Sequence, residues 1–500
     1  MTARTLMIQG ASSSVGKSLL VAALCRIFAR RRVKVAPFKA QNMSNNAAVC
    51  PDGSEIGRAQ ALQARASGTP LSSDLNPILI KPEADAHSQI IVDGRPFKSL
   101  SAYDYYKCKQ ILWEHATAAL DRLRAQYDLV IIEGAGSPAE LNLKRGDIVN
   151  MAVARYANSP VILAGDIDRG GIFAQLLGTL WLLEPEERRL VRGFLVNKFR
   201  GDIRLFEEGI RILEEKSQLP VLGVIPHLKD LHLPEEDAVA LDARVEPCSD
   251  PTSIDIVVVH LPVLSNFDDF DPFHNDPEVR VRYVTQVSEV GQPQAVILPG
   301  TKSTMADLAW LRERRLDSVI REHVQRGGSV VGICGGYQML GQRIRDPGHI
   351  ESPNVHIEGL GLLPTETTFI SKKATYQVQA QVVGRTAWLA GLSEPDLQGY
   401  EIHMGRTNHV SSWLKISTRN GVRCEVFDGS MSADGKIWGC YLHGLFGNTA
   451  LRHAWLASLG WSPGSIARES NQLETSLNDL ADKVEAAVDI HKIERMIWTD

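Results

Sequence analysis

The chain has 500 residues, 44% hydrophobic and 23% charged, with a formal net charge of −5 at pH 7. Single cores usually organise roughly 100–200 residues, so two or three domains are expected, and the balance lacks the basic excess of a nucleic-acid binder. Seven cysteines without a CxxC pair argue against a disulfide scaffold or zinc site. No apolar run reaches the roughly 18 residues of a membrane span, and MTARTLMIQG enters a strand too early for a cleavable signal, so a cytoplasmic setting is expected.

Up to about residue 230, short apolar runs alternate with helical patterns: RTLMIQG, VKVAPFKA, DLVIIEGAG, SPVILAGD, RGFLVNKF and PVLGVIP. Continuous apolar runs are the mark of parallel strands covered by helices on both faces. QGASSSVGKS follows the first strand and opens the helical pattern LLVAALCRIFARR. Strand, glycine turn and helix are the context of a phosphate loop, in which Gly10, Ser14, Val15 and Gly16 shape the cradle of backbone N–H groups. Lys17 neutralises β/γ charge and the Ser18 hydroxyl ligates Mg²⁺. The spacing departs from G-x-x-x-x-G-K-S, because Gly10 is one residue early and Ala11 takes the first-glycine position. The basic run Arg30 to Lys34 is read as helix closure rather than as an anion site.

Groups at the ends of later strands add to this site, since open α/β sheets bind ligands there. Glu133 is placed to hold Mg²⁺ or its water, or to cap a helix. Lys39, Asp166 and Asp168 can serve phosphate, metal or an acid substrate. Asn197 is placed to read a base edge or to act as a turn residue.

Pro, Ser and Asp in VEPCSDPTS, residues 245–253, mark a boundary. A second α/β series then runs through SIDIVVVHLP, AVILPG, SVVGICGG, QVQAQVV and KIWGCYLHG. Gly332-Ile333-Cys334-Gly335-Gly336 is a G-x-nucleophile-x-G elbow with Cys334 exposed between glycines, and a helix N-terminus beneath the sulfur favours thiolate. His443 is the candidate base, and Gly300 and Gly335 are candidate oxyanion donors. His403, ending GYEIH, is read as a substrate-side or structural group. The closing stretch SLNDLADKVEAAVDIHKIERMIW reads as one amphipathic helix packing back on the body.

Taken in order, QGASSSVGKS, FKAQNMSNN, EIGRAQALQA, VIIEGAGSPAE, GDIDRGGIFA, VNKFRGD, LPEED, LPGTKST, GICGGYQMLG, GYEIHMGRT and YLHGLFGN resemble the cobyric acid synthase family, the glutamine-dependent amidotransferases of cobalamin biosynthesis. The resemblance runs from about residue 5 to 450. The N-terminal half is similar to dethiobiotin synthetase and the deviant P-loop group, whose loop has the same one-residue extension. The C-terminal half resembles the class I, or triad, glutamine amidotransferases.

The resemblance implies an α/β fold of two doubly wound, mostly parallel-sheet domains: a synthetase domain at 1–245, an amidotransferase domain at 252–450 and a helical extension at 451–500. It implies that the b, d, e and g carboxylates of adenosylcobyrinic acid a,c-diamide become amides, each at the expense of one ATP and one glutamine. A carboxylate is a poor electrophile, so an acyl phosphate would form, with Lys17, Lys39 and Mg²⁺ spreading charge. Cys334 would attack glutamine, His443 would shuttle protons, and the released ammonia would displace phosphate.

Two departures from the families stand out. Triad amidotransferases commonly carry Glu two residues after the His, where this chain has Leu445, so a Cys-His dyad is assigned. Dethiobiotin synthetase holds metal with an Asp near the place taken here by Arg58, leaving Glu55 as a substitute ligand. Arg58, Arg169 and Arg200 are assigned to the corrinoid carboxylates. The rivals are the cobyrinic acid a,c-diamide synthase, which shares both halves but not QNMSNN and GYEIHMG, a P-loop switch of the partitioning kind, and a lone glutaminase subunit. Such switches show a second Lys where this chain has Gly10-Ala11, and they lack a glutaminase.

Overall fold

The structure, a computed structural model, describes residues 2–83, 87–228, 233–234, 253–390, 392, 396–408, 410–462 and 472–499. The six apolar runs of the N-terminal half are six strands: β1 (Arg4–Gly10), β2 (Val35–Phe38), β3 (Leu129–Glu133), β4 (Val161–Asp166), β5 (Val191–Phe199) and β6 (Val221–Pro226). They form one parallel sheet in the order β6-β5-β4-β1-β3-β2. Successive side chains point to opposite faces, so Leu6 and Ile8 enter one core with the helix Lys17–Arg30, while Met7 enters the other with the helices Lys109–Gln126 and Ile172–Leu182. A smaller four-stranded sheet, Gln41–Met43 with Ile78–Pro82, His87–Val92 and Arg95–Ser101, stands beside it.

The C-terminal half repeats the plan with β7 (Ile254–Val259), β8 (Val279–Val284), β9 (Ala295–Leu298), β10 (Ser329–Ile333), β11 (Ser430–Met431) and β12 (Ile437–Cys440), ordered β8-β7-β9-β10-β12-β11. All its pairings are parallel except β11 with β12. QVQAQVV does not join this series. It belongs to the long strand Glu366–Val382, which pairs antiparallel with Leu397–Thr407 and Leu414–Arg419 in a separate sheet. Its successive residues from Gln377 to Val382 alternate polar with apolar, the pattern of a sheet covered on one face.

The expected break at 245–253 lies outside the described residues apart from Ser253. The closing stretch is two helices, Gln472–Ala487 and Ile490–Trp498, rather than one. Val488 bridges to Gly223 of β6, and the Asp489 carboxylate accepts from Lys492 N at 2.9 Å to cap the second helix, so the turn serves the sheet edge. Leu477, Leu480, Ala481 and Val484 bury a stripe against the first helix. The basic run is spent on the same contact: Arg30 pairs with Asp482 at 2.5 Å, and Arg31 with Glu485 at 2.6 Å and Glu494 at 2.5 Å.

The two halves meet across a mixed seam. Ala47, Val49, Leu79 and Ile91 pack on Tyr400 and Ile402. Beside them Glu55, fully buried, lies between Lys81 at 2.7 Å and Lys373 at 2.6 Å. Burial alone would raise the Glu55 carboxyl, but the charges of Lys373 and Lys81 outweigh it and hold it at about 2. Lys373 is itself brought down to about 8, by burial and by the repulsion of Lys81 and Lys302 against the attraction of Glu55. One carboxylate between two ammonium groups is the arrangement that keeps Glu55 charged. Its stabilisation is complete above the ordinary carboxyl value of 4.5 and lost as pH falls towards about 2. Glu55→Gln keeps the shape and strands two buried lysines, so about 3–5 kcal/mol should be lost, read as a lowered urea midpoint at neutral pH. A midpoint within error of wild type would show that the seam does not depend on this charge.

Two candidate active centres at the sheet edges

The first centre forms where β1 ends. Gly16, with φ of 94°, turns the chain in the left-handed region into the helix Lys17–Arg30. At Gly10 an added Cβ would lie 2.8 Å from Lys17 Nζ and 2.7 Å from Ser12 O, so the early glycine is needed for the lysine to fold back over the loop. Lys17 Nζ donates to Ser12 O at 3.3 Å and Gly136 O at 3.1 Å. Glu133, at the end of β3 and buried, is the hub: it accepts from Ser18 Oγ at 2.8 Å, Lys39 Nζ at 2.8 Å and Gln63 Nε2 at 2.5 Å. Gly16, Lys17, Ser18, Lys39 and Glu133 line a cleft of about 890 Å³, whose wall also includes Ser14, Lys109 and Arg169.

Several other groups assigned to this site brace it instead. Asn197, at the end of β5, gives its amide to Val15 O at 2.8 Å, so it holds the loop rather than facing a base. Lys198 supports the same loop from Ser14 O at 2.7 Å and pairs with the buried Asp166 at 2.9 Å. Asp168 pairs with Arg200 at 2.7 Å on the surface, and Arg169, 62% exposed, keeps its guanidinium 3.7 Å from Asp166. Glu55 is not beside Ser18 and Glu133; with a lysine on each side it has no charge left for a metal. Arg58 is likewise withdrawn from any ligand. It lies in the seam, paired with Asp268 at 2.8 Å, with its guanidinium 5.0 Å from the ring centre of Tyr400.

The second centre collects the C-terminal ends of β7, β9, β10 and β12. Cys334 leaves β10 with φ of 51° and ψ of −106°, a conformation that costs a non-glycine residue roughly 1–3 kcal/mol and is held by its surroundings. Those surroundings demand glycine behind it: a Cβ on Gly336 would sit 1.9 Å from Leu298 O. Gly300 follows β9 and lies against the imidazole, where a Cβ would come 2.9 Å from His443 Cε1. At Gly335 a Cβ would press on Thr301, 2.7 Å from its methyl.

His443 follows β12 and feels the charge of Cys334, whose Sγ–H donates to Ile402 O at 3.6 Å. Its Nδ1 is 2.7 Å from Asp269 Oδ2, and Asp269 Oδ1 accepts from Gly444 N at 2.7 Å. The site is therefore a Cys-His-Asp arrangement and not a dyad. Leu445 is apolar and buried, and the acid arrives from the short helix Phe267–Asn275 after β7. Burial would lower the imidazole, but the charges of Asp269 and Cys334 outweigh it and lift His443 to about 10. His403 stacks on Tyr441, 3.7 Å between ring centres, and its Nδ1 faces Gly405 O at 2.8 Å.

A small cavity of about 60 Å³ opens at Cys334, lined by Gln338, Glu351 and His403, and also by Asn45, Lys81 and Gln89 of the N-terminal half. A sulfur nucleophile, a base and an orienting acid at a cavity shared with the other half can release a small amine towards it.

Residues 6–239 match the CobQ/CobB/MinD/ParA nucleotide binding domain, and residues 255–451 match the CobB/CobQ-like glutamine amidotransferase domain. A protein of Roseiflexus castenholzii named cobyric acid synthase is 55% identical over 98% of this chain and 98% of its own length. One of the same name from Chloroflexus aurantiacus is 54% identical over 99% of this chain and all of its own. This chain belongs to the cobyric acid synthase family. A cobyric acid synthase is a glutamine-dependent, amide-forming ligase, and the two matched regions fall on the two halves that carry the two centres. Among the described residues no helix is long and apolar enough to cross a membrane.

Of the features not read from the sequence, Asp269 had the clearest signal. In FDDFDPF the buried Phe267, Phe270 and Phe273 recur every three residues, and Asp269 is the acid enclosed among them. A carboxylate inside such a pattern needs a partner. Gln63 had no comparable signal, since a glutamine on a helix is ordinary.

Proposed function

We propose that this enzyme amidates the b, d, e and g carboxylates of adenosylcobyrinic acid a,c-diamide, using ATP in the cleft above Lys17 and ammonia from glutamine hydrolysed at Cys334. The carrying observation is that the cavity at Cys334 is lined by residues of both halves, so ammonia is released against the nucleotide-binding half. Gly10, Ser14, Val15, Gly16, Lys17 and Ser18 hold the phosphates, with Lys39 beside them. Ser18 and Glu133 supply two oxygen donors, which suits Mg²⁺, an ion that takes one or two protein ligands and completes its shell with water and phosphate. When bound it would neutralise charge on the β- and γ-phosphates. Lys17 follows the γ-phosphoryl group to the substrate carboxylate, and Arg169 at the cleft wall meets the remaining carboxylates of the corrinoid.

In the other half the Cys334 sulfur attacks the side-chain amide of glutamine, and the backbone N–H groups of Gly300 and Gly335 receive the oxyanion. His443, oriented by Asp269, gives its proton to the departing ammonia, and water then hydrolyses the thioester. Ammonia displaces phosphate from the acyl phosphate and leaves the amide.

Mass spectrometry of the corrinoid after incubation with enzyme, MgATP and glutamine tests the reading. Successive replacement of carboxyl OH by NH₂ at the four positions, absent without ATP, is the expected result. Amidation of undecorated cobyrinic acid at two positions instead would identify the diamide synthase. Lys17→Ala should slow amidation by about 10³-fold or more whether glutamine or ammonia is supplied, because the γ-phosphoryl charge loses its cation. Amidation with ammonia at the wild-type rate would remove Lys17 from phosphoryl transfer.

A further inference from the structure

The helix Arg58–Ser67 belongs to the nucleotide-binding half, yet its contacts run to both centres. Gln63, in the middle, gives its amide to Glu133 Oε2 at 2.5 Å and to the carbonyl of Ser18 at 3.2 Å, the two residues that face the phosphates. Arg58, at the first position, crosses the seam. Its guanidinium pairs with Asp268, the chain neighbour of the acid that holds His443, and donates to the hydroxyl of Tyr400. Tyr400 in turn stacks on the His443 ring, 5.2 Å between centres and 18° from parallel, and exchanges backbone hydrogen bonds with it at 3.1 and 2.9 Å. Gln63 lies five positions after Arg58, about 7.5 Å along the helix axis.

A second strand of contacts starts at the same end of the helix. Arg58 N donates to Asn46 O at 3.1 Å, and the Asn46 side chain accepts from Asn266 N at 2.7 Å. Asn266 accepts from Ala47 N at 2.9 Å and places its amide 3.4 Å from His443 Nε2. Two of the residues that frame the imidazole, Tyr400 and Asn266, are thus held by the nucleotide-binding half. The acid beside the triad, Asp268, is half-buried with Arg58 as its ion-pair partner.

We propose that Arg58 is a positioning residue of the glutaminase centre and that its helix couples the two centres, so that nucleotide bound over Lys17 and Ser18 sets the reactivity of Cys334. The inference rests on the roles given to the two centres above. Nucleotide phosphate and its ion compete with Gln63 for Glu133 and draw on Ser18, which shifts the helix at its middle. A ten-residue helix moves as one piece, and its first residue transmits the shift to Asp268 and Tyr400. The reactivity of Cys334 depends on how His443 is held, and a misplacement of about 1 Å costs on the order of 10²-fold. Such coupling keeps glutamine from being hydrolysed when no carboxylate can be activated.

The test uses the full chain and the rate at which a diazoketone analogue of glutamine alkylates Cys334, with and without Mg²⁺ and a non-hydrolysable ATP analogue. Wild type should show a change of roughly 5- to 150-fold on adding nucleotide, shrinking to less than about twofold in Arg58→Met and in Asp268→Asn. The two variants approach the ion pair from opposite halves, so if one fails to fold the other decides. Ammonia-supported amidation, which does not use Cys334, should persist in both. A nucleotide effect of wild-type size in Asp268→Asn, or wild-type alkylation that ignores nucleotide, overturns the coupling. No alkylation of Cys334 under any condition, with ammonia-supported amidation intact, overturns instead the assignment of the glutaminase centre.

Discussion

Cys334→Ser should reduce glutamine-supported amidation by a factor on the order of 10⁶ while ammonia-supported amidation stays within about twofold of wild type. The geometry separates the two outcomes. Cys334 lines its own cavity and contributes nothing to the cleft around Lys17, Ser18 and Glu133, so the acyl phosphate forms as before. Serine fits the elbow, since the strained φ of 51° belongs to the backbone and Gly336 still clears Leu298 O. What fails is the chemistry. Asp269 still raises the imidazole in the variant, and an imidazole held towards its protonated form is a poor base for a hydroxyl, which is a far weaker nucleophile than sulfur until a neutral base takes its proton. The check is amide formation with glutamine and with ammonium chloride as parallel nitrogen sources. Loss of both activities would show that the centres are not chemically separable.

Asp269→Asn should cost about 10⁴-fold in glutaminase kcat with little change in KM for glutamine, the pattern of a lost orienting acid. The aspartate accepts twice, from His443 Nδ1 at 2.7 Å and from Gly444 N at 2.7 Å, so both its oxygens are engaged. An asparagine keeps the bond to Gly444 by its oxygen and then turns an amide N–H towards Nδ1, which favours the wrong tautomer. It also removes the largest charge that opposes burial, so the imidazole falls from about 10 towards or below its ordinary 6.5. The sign on stability follows. In the wild type the raised His443 contributes fully below 6.5 and loses that contribution as pH rises through about 10, and the variant should lack that alkaline decline. Stopped glutamine hydrolysis across pH, paired with urea midpoints, measures both. Unchanged hydrolysis in the variant would return the site to a Cys-His dyad.

The parts of this molecule visible in the sequence are those whose reason is local. The six runs of the first sheet are legible because a strand buried on both faces leaves no polar positions, and GKS after such a strand leaves few other uses for its lysine. Cys334 stands out through its glycines, whose absence of side chains the turn needs. QVQAQVV misleads for the same kind of reason: its alternation fits a one-sided sheet, but apolar content alone suggests the parallel series. Arg58 and Glu55 could not be read from EIGR, because their partners Tyr400 and Lys373 lie hundreds of residues away and no local rule points to them. The same holds for Asn197, 182 residues from the carbonyl it braces. Burial of a charge is decided by what arrives from elsewhere.

The docking of the last two helices on the first helix and on β6 changes what the glutaminase half is to the chain. It becomes an insertion in the chain, with the nucleotide-binding body assembled from the residues on both sides of it. Two covalent connections instead of one raise the local concentration at which the seam recloses. The seam around Arg58 can therefore be weak enough to loosen within a catalytic cycle without the ammonia source leaving its acceptor. A seam of modest strength is sufficient where return is assured by connectivity.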